Sequence, residues 1–516
     1  MAAAGPDVRL GVLNSLITRL DEESVSYCHW KGNHSLPAVL EGEKDFELLV
    51  DEGSLPLTEK VLHELGYRLG EAPYAAEPRG VAHYFSRIAG HERLSHVHLY
   101  SRVVTGEKLV VNHHLPLESE ILGGSRWIDG VRQTDRSTEL VVFAIRGALL
   151  RTSPIDALFR LRERDRRSQE WRWLQQNATD VTTAVKVIAE TLSIDSAVLG
   201  GWVDAIDSPG SRLRLFRPAL DVRRELRPYR IHGRVRQAAR QVDLVAHAAA
   251  RRVMRRPRGK RLESGGRVIA IVGPDASGKS TTVAATARWL GEHFEVRSVH
   301  AGKPPTSLLT MPVNALSVLL RRTDSELKMA KVEGHAPSAT VGDRPPKRGN
   351  TIGAVPPTVS LTRLLFGVRS VATAWDRRRL LERVRRQADS GSLVICDRYP
   401  SDHLGAMDSP RLPRYVDAGN LAERLADRLA RLEHRIYGEI PAPDFVISLT
   451  VPLEKALARN DARDKWDKEN ADYVASRHRS AVPWSRHDCP DVSEVNTGGS
   501  LPDTLEAIRA FVWARL

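Results

Sequence analysis

Cysteine and long apolar runs are both scarce in this sequence. The 516 residues include three cysteines, Cys28, Cys396 and Cys489, and their spacing fits neither a metal cluster nor a disulfide framework. No stretch approaches the roughly 18 uninterrupted apolar residues of a membrane-spanning helix. The N-terminal sequence also lacks a basic region followed by an apolar run. We therefore expect a protein of the reducing cytoplasm with no transmembrane segment.

The overall composition is ordinary, but the charge is unevenly distributed. Apolar residues make up 41% and charged residues 27% of the chain, which excludes a disordered or fibrous protein. The length predicts two or three domains. The net charge is +13, and residues 212–263 alone hold 17 arginines and lysines against four acids. A single segment therefore carries the whole charge imbalance.

The segment from Gly273 to Ser280 has the spacing G-x-x-x-x-G-K-S, between an apolar run and a helix-like stretch. A strand, a glycine-rich loop and a helix in this order wrap phosphate groups in backbone N–H donors. We expect Lys279 to bridge the terminal phosphates and the Ser280 hydroxyl to reach Mg²⁺. The motif predicts ATP and Mg²⁺ as cofactors, bound by Gly273, Asp275, Ser277, Gly278, Lys279, Ser280 and Thr281.

A second candidate site lies near the N-terminus, in the stretch 42–50. Side chains alternate along a strand, so Asp45 and Glu47 share one face while the apolar residues between them share the buried face. Two adjacent acids can hold a divalent metal. With the Lys-Gly turn before it, the stretch resembles the core of the nucleotidyltransferase (polymerase-beta-like) superfamily over about residues 25–125. The resemblance implies an α+β domain at 1–130 that binds metals through two acids on one strand and a third on its neighbour.

The expected third acid is replaced in this sequence. The next plausible core strand, residues 95–100, offers His98 at that position. Hard Mg²⁺ prefers oxygen ligands to imidazole. The replacement favours a degenerate or substrate-recognising domain, and nucleotidyl transfer through Asp45 and Glu47 is kept as an alternative function.

Two segments without a catalytic constellation follow. Residues 131–210 show helical apolar spacing, and residues 211–265 form an Arg-rich helical linker whose apolar seam includes Val235, Val242 and Val253. Clustered arginines suit nucleic acid or an anionic membrane. Because no aromatic residues interleave with the arginines, we favour a solvated interdomain helix that docks its seam on either domain. An ATP-switched regulator that binds nucleic acid through this helix is the alternative.

Residues 266–516 contain several further motifs in a fixed order. After the phosphate loop come a helix with Asp376-Arg377, an apolar strand ending in Asp397-Arg398-Tyr399, and a strand that begins at Pro443-Asp444. In this order the motifs resemble thymidylate kinase. The resemblance implies a parallel α/β P-loop NTPase fold and an ATP- and Mg²⁺-dependent kinase that acts on a small phosphorylated acceptor.

The resemblance also implies roles for individual residues. Arg398 would bind the acceptor phosphate, Arg377 the acceptor phosphate or base, and Arg459 would close over ATP. Phosphoryl transfer needs converging cations because the protein mainly aligns the reactants and neutralises charge. The expected catalytic set is Lys279, Asp397, Arg398 and Arg463; the acceptor-binding set is Asp275, Arg377, Arg398 and Tyr399; and Ser280 and Asp397 would hold Mg²⁺.

The acceptor region departs from the thymidylate kinase pattern. After Tyr399 the sequence continues Pro-Ser-Asp-His-Leu-Gly in place of the Ser-Ser-x-Ala-Tyr-Gln segment that recognises the base. Thymine specificity therefore does not carry over. A nucleoside monophosphate is the first acceptor to expect, and a sugar phosphate fits the same machinery. We expect residues 323–360 to form a long loop. A homodimer is compatible with this enzyme class.

Overall fold

Two separate sheets organise the chain. The computed structural model describes residues 11–72, 77–107, 110–153, 164–207, 214–253, 259–307, 310–311, 361–406, 408–415, 417–462, 471–479 and 482–516. The chain divides into two units, Met1–Glu263 and Ser264–Leu516. Each unit has its own sheet and its own hydrophobic core. Arg463 and the stretch 323–360 lie outside the described residues.

The N-terminal unit is built on a mixed sheet. Eight of its strands pair in the order β10-β3-β4-β5-β2-β1-β9-β8, and β6 pairs with β7. Strand β2 runs parallel to β5, which places the stretch with Asp45 and Glu47 beside residues 94–100. The strands are β1 (Tyr27–His29), β2 (Phe46–Val50), β3 (Arg68–Glu71), β4 (Val81–Arg87), β5 (Leu94–Tyr100), β6 (Val104–Gly106), β7 (Val111–His114), β8 (Arg126–Ile128), β9 (Val131–Gln133) and β10 (Arg261–Leu262).

Helices cover this sheet, and local sequence explains where the longer ones begin. Asp135 starts α5 because its carboxylate accepts hydrogen bonds from the backbone N–H groups of Ser137 and Thr138. The predicted burial of Phe46, Leu48 and Val50 on β2 is confirmed, and Leu49 on the other face is buried as well. The helices are α1 (Gly11–Glu22), α2 (Leu36–Leu40), α3 (Leu55–Glu64), α4 (Glu118–Gly123), α5 (Arg136–Arg151), α6 (Arg164–Asn177), α7 (Val181–Thr191), α8 (Ser196–Asp207), α9 (Phe216–Glu225) and α10 (Arg234–Val253).

Residues 234–253 form helix α10, as predicted, but the face of the helix that is buried differs from the prediction. The expectation was that the valine seam docks and the polar face meets solvent. Instead, Gln237 and Gln241 are buried, and Val235 and Val253 are exposed. Docking of the seam on the N-terminal unit is therefore wrong, because the helix contacts that unit through hydrogen bonds of the glutamines.

The C-terminal unit is a parallel α/β domain. Its five strands pair in the order β12-β13-β11-β14-β15, and every pair is parallel. This sheet, with a glycine loop after its central strand, has the architecture of a P-loop NTPase. The elements are β11 (Val268–Val272), α11 (Lys279–Gly291), β12 (Val296–His300), α12 (Leu361–Asp389), β13 (Leu393–Asp397), α13 (Leu421–Gly438), β14 (Phe445–Thr450), α14 (Leu453–Asp461), α15 (Ala471–Arg479), β15 (Val492–Asn496) and α16 (Leu501–Trp513).

Burial explains why the central strands read as continuous apolar runs. All of β11 is buried, and Cys396 on β13 is fully buried, as predicted. The carboxyl ends of parallel strands meet at one edge of the sheet, where ligands bind in open α/β folds. No helix among the described residues combines the length and apolar character needed to cross a bilayer.

Candidate active site

The phosphate loop leaves β11 at Gly273 and enters α11 after Gly278. A Cβ atom at Gly273 would lie 2.5 Å from the carbonyl oxygen of Leu449, so no side chain fits there. Gly278 has a φ of 88°, and Ala276 has a φ of 61°. Left-handed residues in such a loop turn successive N–H groups to one side and form an anion-binding concavity. The predicted loop is therefore present as a strained turn at the start of a helix.

Lys279 lies folded over the loop that precedes it. Its Nζ donates hydrogen bonds to the carbonyl oxygens of Gly273 at 2.9 Å and Pro274 at 2.5 Å. It also lies 4.0 Å from Asp275 Oδ1, and the lysine side chain is only 7% exposed. A buried ammonium group held by carbonyl oxygens is a strong local positive charge. The loop thus places one cation where the phosphates of a nucleotide would lie.

Asp397 closes β13 directly beside the phosphate loop. The parallel register pairs Asp397 with Ile271 on β11 and with His300 on β12. Its Oδ2 lies 3.5 Å from His300 Nδ1, whereas its Oδ1 is buried and has no hydrogen-bond partner among the described residues. A buried carboxylate oxygen without a donor is uncommon and suits a cation. Ser280 is exposed on the first turn of α11, and its pairing with Asp397 around Mg²⁺ stays a prediction.

Arg398 follows Asp397 in a strained backbone conformation, with a φ of 73°. Its N–H donates to the carbonyl oxygen of Ile271 at 3.0 Å, which fixes it beside β11. Its guanidinium nitrogens lie 3.4 Å from Asp275 Oδ1 and 3.6 Å from Asp408 Oδ2. A non-glycine residue at positive φ costs about 1–3 kcal/mol and is typical of functional sites. The Arg398 guanidinium therefore lies between the carboxylates of Asp275 and Asp408, and Arg398 lines the adjoining cleft.

Arg398 is one wall of a cleft of about 340 Å³ at the carboxyl edge of the sheet. The cleft is formed by the loop after β11, the turn after β13, the end of β14 and the segment that follows α15. Trp484 contributes an aromatic wall, and its Nε1 donates to the carbonyl oxygen of Tyr399. The polar side chains of the lining are those of Arg398, Ser401, His403, Asp408, Ser448, Thr450, His478 and Glu494.

Two residues predicted to bind the acceptor are buried in the protein interior. The Arg377 side chain is 2% exposed; its Nε donates to the carbonyl oxygen of Ala301, and its other nitrogens contact Asp408 and the Tyr437 hydroxyl. The Tyr399 hydroxyl donates to the carbonyl oxygen of Pro441. These donors are used within the protein, and Tyr399 also lines the cleft. Contact of either side chain with the acceptor stays a prediction. Arg377 holds Asp408.

The remaining predicted nucleotide contacts lie around the loop. Arg459 Nη1 donates to Thr497 Oγ1, whose hydroxyl donates to the carbonyl oxygen of Ser277 at 3.0 Å. Ser277 Oγ is buried and has no hydrogen-bond partner in the described part of the chain. Thr281 is exposed on α11. Arg459 thus supports the loop through Thr497, and the role of Arg463 stays a prediction.

The acids of the N-terminal unit have protein partners. Asp45 Oδ1 lies 2.8 Å from His96 Nδ1, and Glu47 Oε2 lies 3.3 Å from both His98 Nδ1 and Lys31 Nζ. Burial disfavours the charge on Glu47, but the Lys31 ammonium and His98 outweigh it and lower its pKa. Burial also lowers the pKa of Lys31. The two predicted metal ligands therefore lie in a network of histidine contacts with one lysine ion pair.

Histidine stacking completes this network. The His83 ring lies 4.1 Å from the His98 ring, and His83 Nδ1 lies 2.9 Å from His96 Nε2. In the described ranges, no group of three or more His, Cys, Asp or Glu side chains is arranged to hold a metal ion. Metal binding by Asp45 and Glu47 stays a prediction, and this geometry does not add to it.

Sequence reasoning missed several residues of the C-terminal site. Asp408 contacts both Arg377 and Arg398, and His478 Nε2 lies 3.1 Å from the carbonyl oxygen of Asp275. His300 lies beside Asp397. His300 could have been found, because it ends the strand next to β13. Asp408 lies in an irregular segment and His478 lies on α15, and no sequence motif marks either position as part of a site.

Comparisons with known proteins give a limited result. No protein-family model matches the chain, and no curated protein matches it. Similar solved structures include a thymidylate kinase from Candida albicans, with 18% identity, a TM-score of 0.26, and coverage of 48% of this chain and 91% of that one. TT1252 from Thermus thermophilus has 18% identity and a TM-score of 0.23, covering 49% and 98%. A deoxyadenosine kinase from M. mycoides with bound dATP has 16% identity and a TM-score of 0.26, covering 48% and 98%. This similarity concerns about half of the chain, and the site geometry carries the function proposed next.

Proposed function

We propose that the C-terminal unit is an ATP- and Mg²⁺-dependent kinase that phosphorylates a small phosphorylated acceptor, with a nucleoside monophosphate as the first class to test. One observation carries the proposal. Gly273 and Pro274 of the phosphate loop line one cleft together with Arg398, whose backbone has a positive φ. Lys279 is hydrogen-bonded to those two loop residues, and Asp397, which precedes Arg398, has a buried oxygen without a hydrogen-bond partner among the described residues. This combination of a cation, a metal-binding acid and a second cation is what phosphoryl transfer requires.

The chain's own residues would act by binding and neutralising charge. The loop N–H groups and Lys279 would bind the donor phosphates, and the bound phosphates would replace the carbonyl oxygens of Gly273 and Pro274 as lysine partners. Arg398 would hold the acceptor phosphate. An acceptor phosphate oxygen forms a bond to the γ-phosphorus as the bond to the β,γ-bridging oxygen breaks, and that oxygen leaves on ADP. No covalent intermediate with the protein is needed.

Ser280 and Asp397 are the residues that would hold magnesium. The supporting observation is the buried Asp397 Oδ1, which has no donor in the described part of the unit. Bound Mg²⁺ neutralises charge on the donor phosphates. Because β13 lies between β11 and β12, hydrogen-bonded strands on both sides fix the Asp397 backbone relative to the phosphate loop.

The cleft favours an acceptor with a ring as well as a phosphate. Trp484 offers an aromatic surface, and Leu404 and Val482 add apolar contacts. Arg377 is buried against Asp408, so we assign the acceptor phosphate to Arg398, which lines the cleft. Nucleoside monophosphates and sugar phosphates both present a ring and a phosphate, which is why both belong in the first assay.

The test is release of ADP from ATP and Mg²⁺ in the presence of a panel of nucleoside monophosphates and sugar phosphates. We expect one class to stimulate turnover in the wild type and Lys279→Ala to lower that turnover by about 10³-fold, because it removes a cation from the transferring phosphate. Lys60→Ala, on an exposed position of α3, is the matched control and should keep full turnover. Stimulated turnover that survives Lys279→Ala would reject the kinase proposal.

A further inference from the structure

Helix α10 is attached to the N-terminal unit by its polar face. Asn112 Nδ2 donates to Gln237 Oε1 at 2.8 Å, and Gln241 Nε2 donates to Glu107 Oε2 at 2.5 Å. Gln237 and Gln241 are the buried residues of the helix, at 6% and 9% exposure. Surface helices normally bury their apolar stripe. Here hydrogen bonds between side chains provide the attachment, so the apolar stripe is left for another use.

That stripe, the valine seam, consists of Val235, Val242, Val245 and Val253. Val235 is 86% exposed, Val242 69% and Val253 83%. With 100° between successive residues, these four lie on one side of the helix, and the alanines between them on that side are exposed too. A helix of 20 residues is about 30 Å long, so the seam is a continuous apolar strip of that length.

The helix that carries the valine seam is basic. The helix contains a single acid, Asp243, which is paired with His247 at 3.1 Å. The sequence on both sides of the helix continues this excess of arginine. At 100° per residue, Arg234 and Arg252 lie next to Val245 at one edge of the seam, and Arg236 lies beyond the other edge. Arg240 and Arg251 lie on the opposite face of the helix.

We propose that α10 lies flat on a membrane surface that contains anionic lipids, with the valine seam at the boundary of the acyl chains and Arg234, Arg236 and Arg252 at the lipid phosphates. An exposed apolar stripe on a helix with five arginines and one acid has the charge and polarity of an interfacial helix. A second copy of α10 would bring arginines against arginines. Nucleic acid would satisfy the arginines but leave the valines in water, and no aromatic side chains are present in the helix to stack on bases.

The direct test is co-sedimentation of the full-length protein with vesicles. One set contains phosphatidylcholine alone, and the other contains phosphatidylcholine with about 30% phosphatidylglycerol, which supplies the anionic surface. We expect binding to the anionic vesicles only, and weaker binding as salt rises, because salt screens the arginines. Hydrogen exchange should show added protection in α10 when those vesicles are present. This readout needs no turnover, so it is independent of the kinase activity.

Two sets of variants separate the apolar and electrostatic contributions. The triple variant Val235→Gln, Val242→Gln, Val253→Gln keeps residues that favour helices and should lower binding by about tenfold or more. The double variant Arg236→Gln, Arg252→Gln should lower it by about fivefold for each charge removed. The matched control replaces three exposed apolar residues elsewhere, Val187→Gln, Leu421→Gln and Leu501→Gln, and should bind as the wild type does.

Several outcomes would overturn the proposal. Absence of binding to anionic vesicles at low salt would do so, as would equal loss in the control and the valine variant. Loss of thermal stability in the valine variant without vesicles would show that the seam is covered within the chain. A dimer in sedimentation velocity that the valine variant dissociates would assign the seam to a second copy. Tighter binding to RNA or DNA than to vesicles would assign the arginines to nucleic acid.

Discussion

The two units treat their acidic side chains in opposite ways. In the N-terminal unit, Asp45 and Glu47 are matched by His96, His98 and Lys31. In the C-terminal unit, Asp397 ends a buried strand with one oxygen that no described residue contacts by a hydrogen bond. The motifs around both sets of acids suggested metal binding from sequence. Glu47 Oε2 is also buried without a hydrogen bond among the described residues, so the difference lies in the neighbouring charge. The Lys31 ammonium lies 3.3 Å from Glu47, whereas the described residues place only a histidine, at 3.5 Å, beside Asp397. A carboxylate that already has a lysine beside it has less need of a metal ion than one that has none.

The largest effect should come from removing the charge of each acid in turn. We expect Asp397→Asn to lower acceptor-stimulated ADP release by about a hundredfold or more, because a neutral amide stabilises the bound cation and the transferring charge less well. Asp45→Asn should leave that rate unchanged. Steady-state kinetics at varied Mg²⁺ measure both variants. A loss of rate in Asp45→Asn equal to that in Asp397→Asn would break the comparison.

Glu139, a buried acid of the N-terminal unit, extends the comparison to the pH dependence of the free energy of unfolding. Burial raises the pKa of Glu139 from its ordinary value of 4.5 to about 7, although hydrogen bonds donated by Asn33 act to lower it. The folded protein therefore keeps a proton that the unfolded chain releases, and the free energy of unfolding should fall by up to about 3 kcal/mol as pH rises from about 4.5 to about 7.

Glu139→Gln is the variant that tests this dependence, because its side chain cannot ionise. The difference in free energy of unfolding between variant and wild type should change across that pH window in favour of the variant. Urea titrations at several pH values provide the measurement. Parallel pH profiles for the two proteins would show that Glu139 is charged in the folded state.

The smallest of the expected effects concerns Asp408, which joins Arg377 to Arg398. Asp408→Asn should lower the free energy of unfolding by about 2 kcal/mol, because the buried Arg377 guanidinium loses its carboxylate. The KM for the acceptor should also rise, since Arg398 loses one of its two acidic neighbours.

Asp402→Asn is the control for that experiment, because Asp402 pairs with the exposed His487. Thermal melting and acceptor kinetics should place it near the wild type. If Asp408→Asn is equally mild in both measurements, the link between the two arginines has no part in the site.

The features of the fold and of the site that could be predicted are those that depend on short stretches of sequence. The strand at Val296–His300 and the helix over 234–253 are confirmed, because hydrophobic period depends only on nearby residues. The phosphate loop follows from glycine geometry and is equally local. The partners of Asp45 and the burial of Arg377 depend on contacts between residues distant in sequence. The docking of α10 by glutamine escaped prediction because apolar periodicity does not report which face finds a partner.

The three cysteines have a practical consequence for experiments on the helix. All three are buried, and burial raises the pKa of the Cys28 and Cys396 thiols to about 12. Thiols of that kind react slowly with maleimides and iodoacetamides, because the thiolate is the reactive form. A cysteine introduced at the exposed Val242 would therefore outcompete the native thiols for a fluorescent or spin label. The wild-type background already serves for measuring how deeply this helix enters a lipid surface.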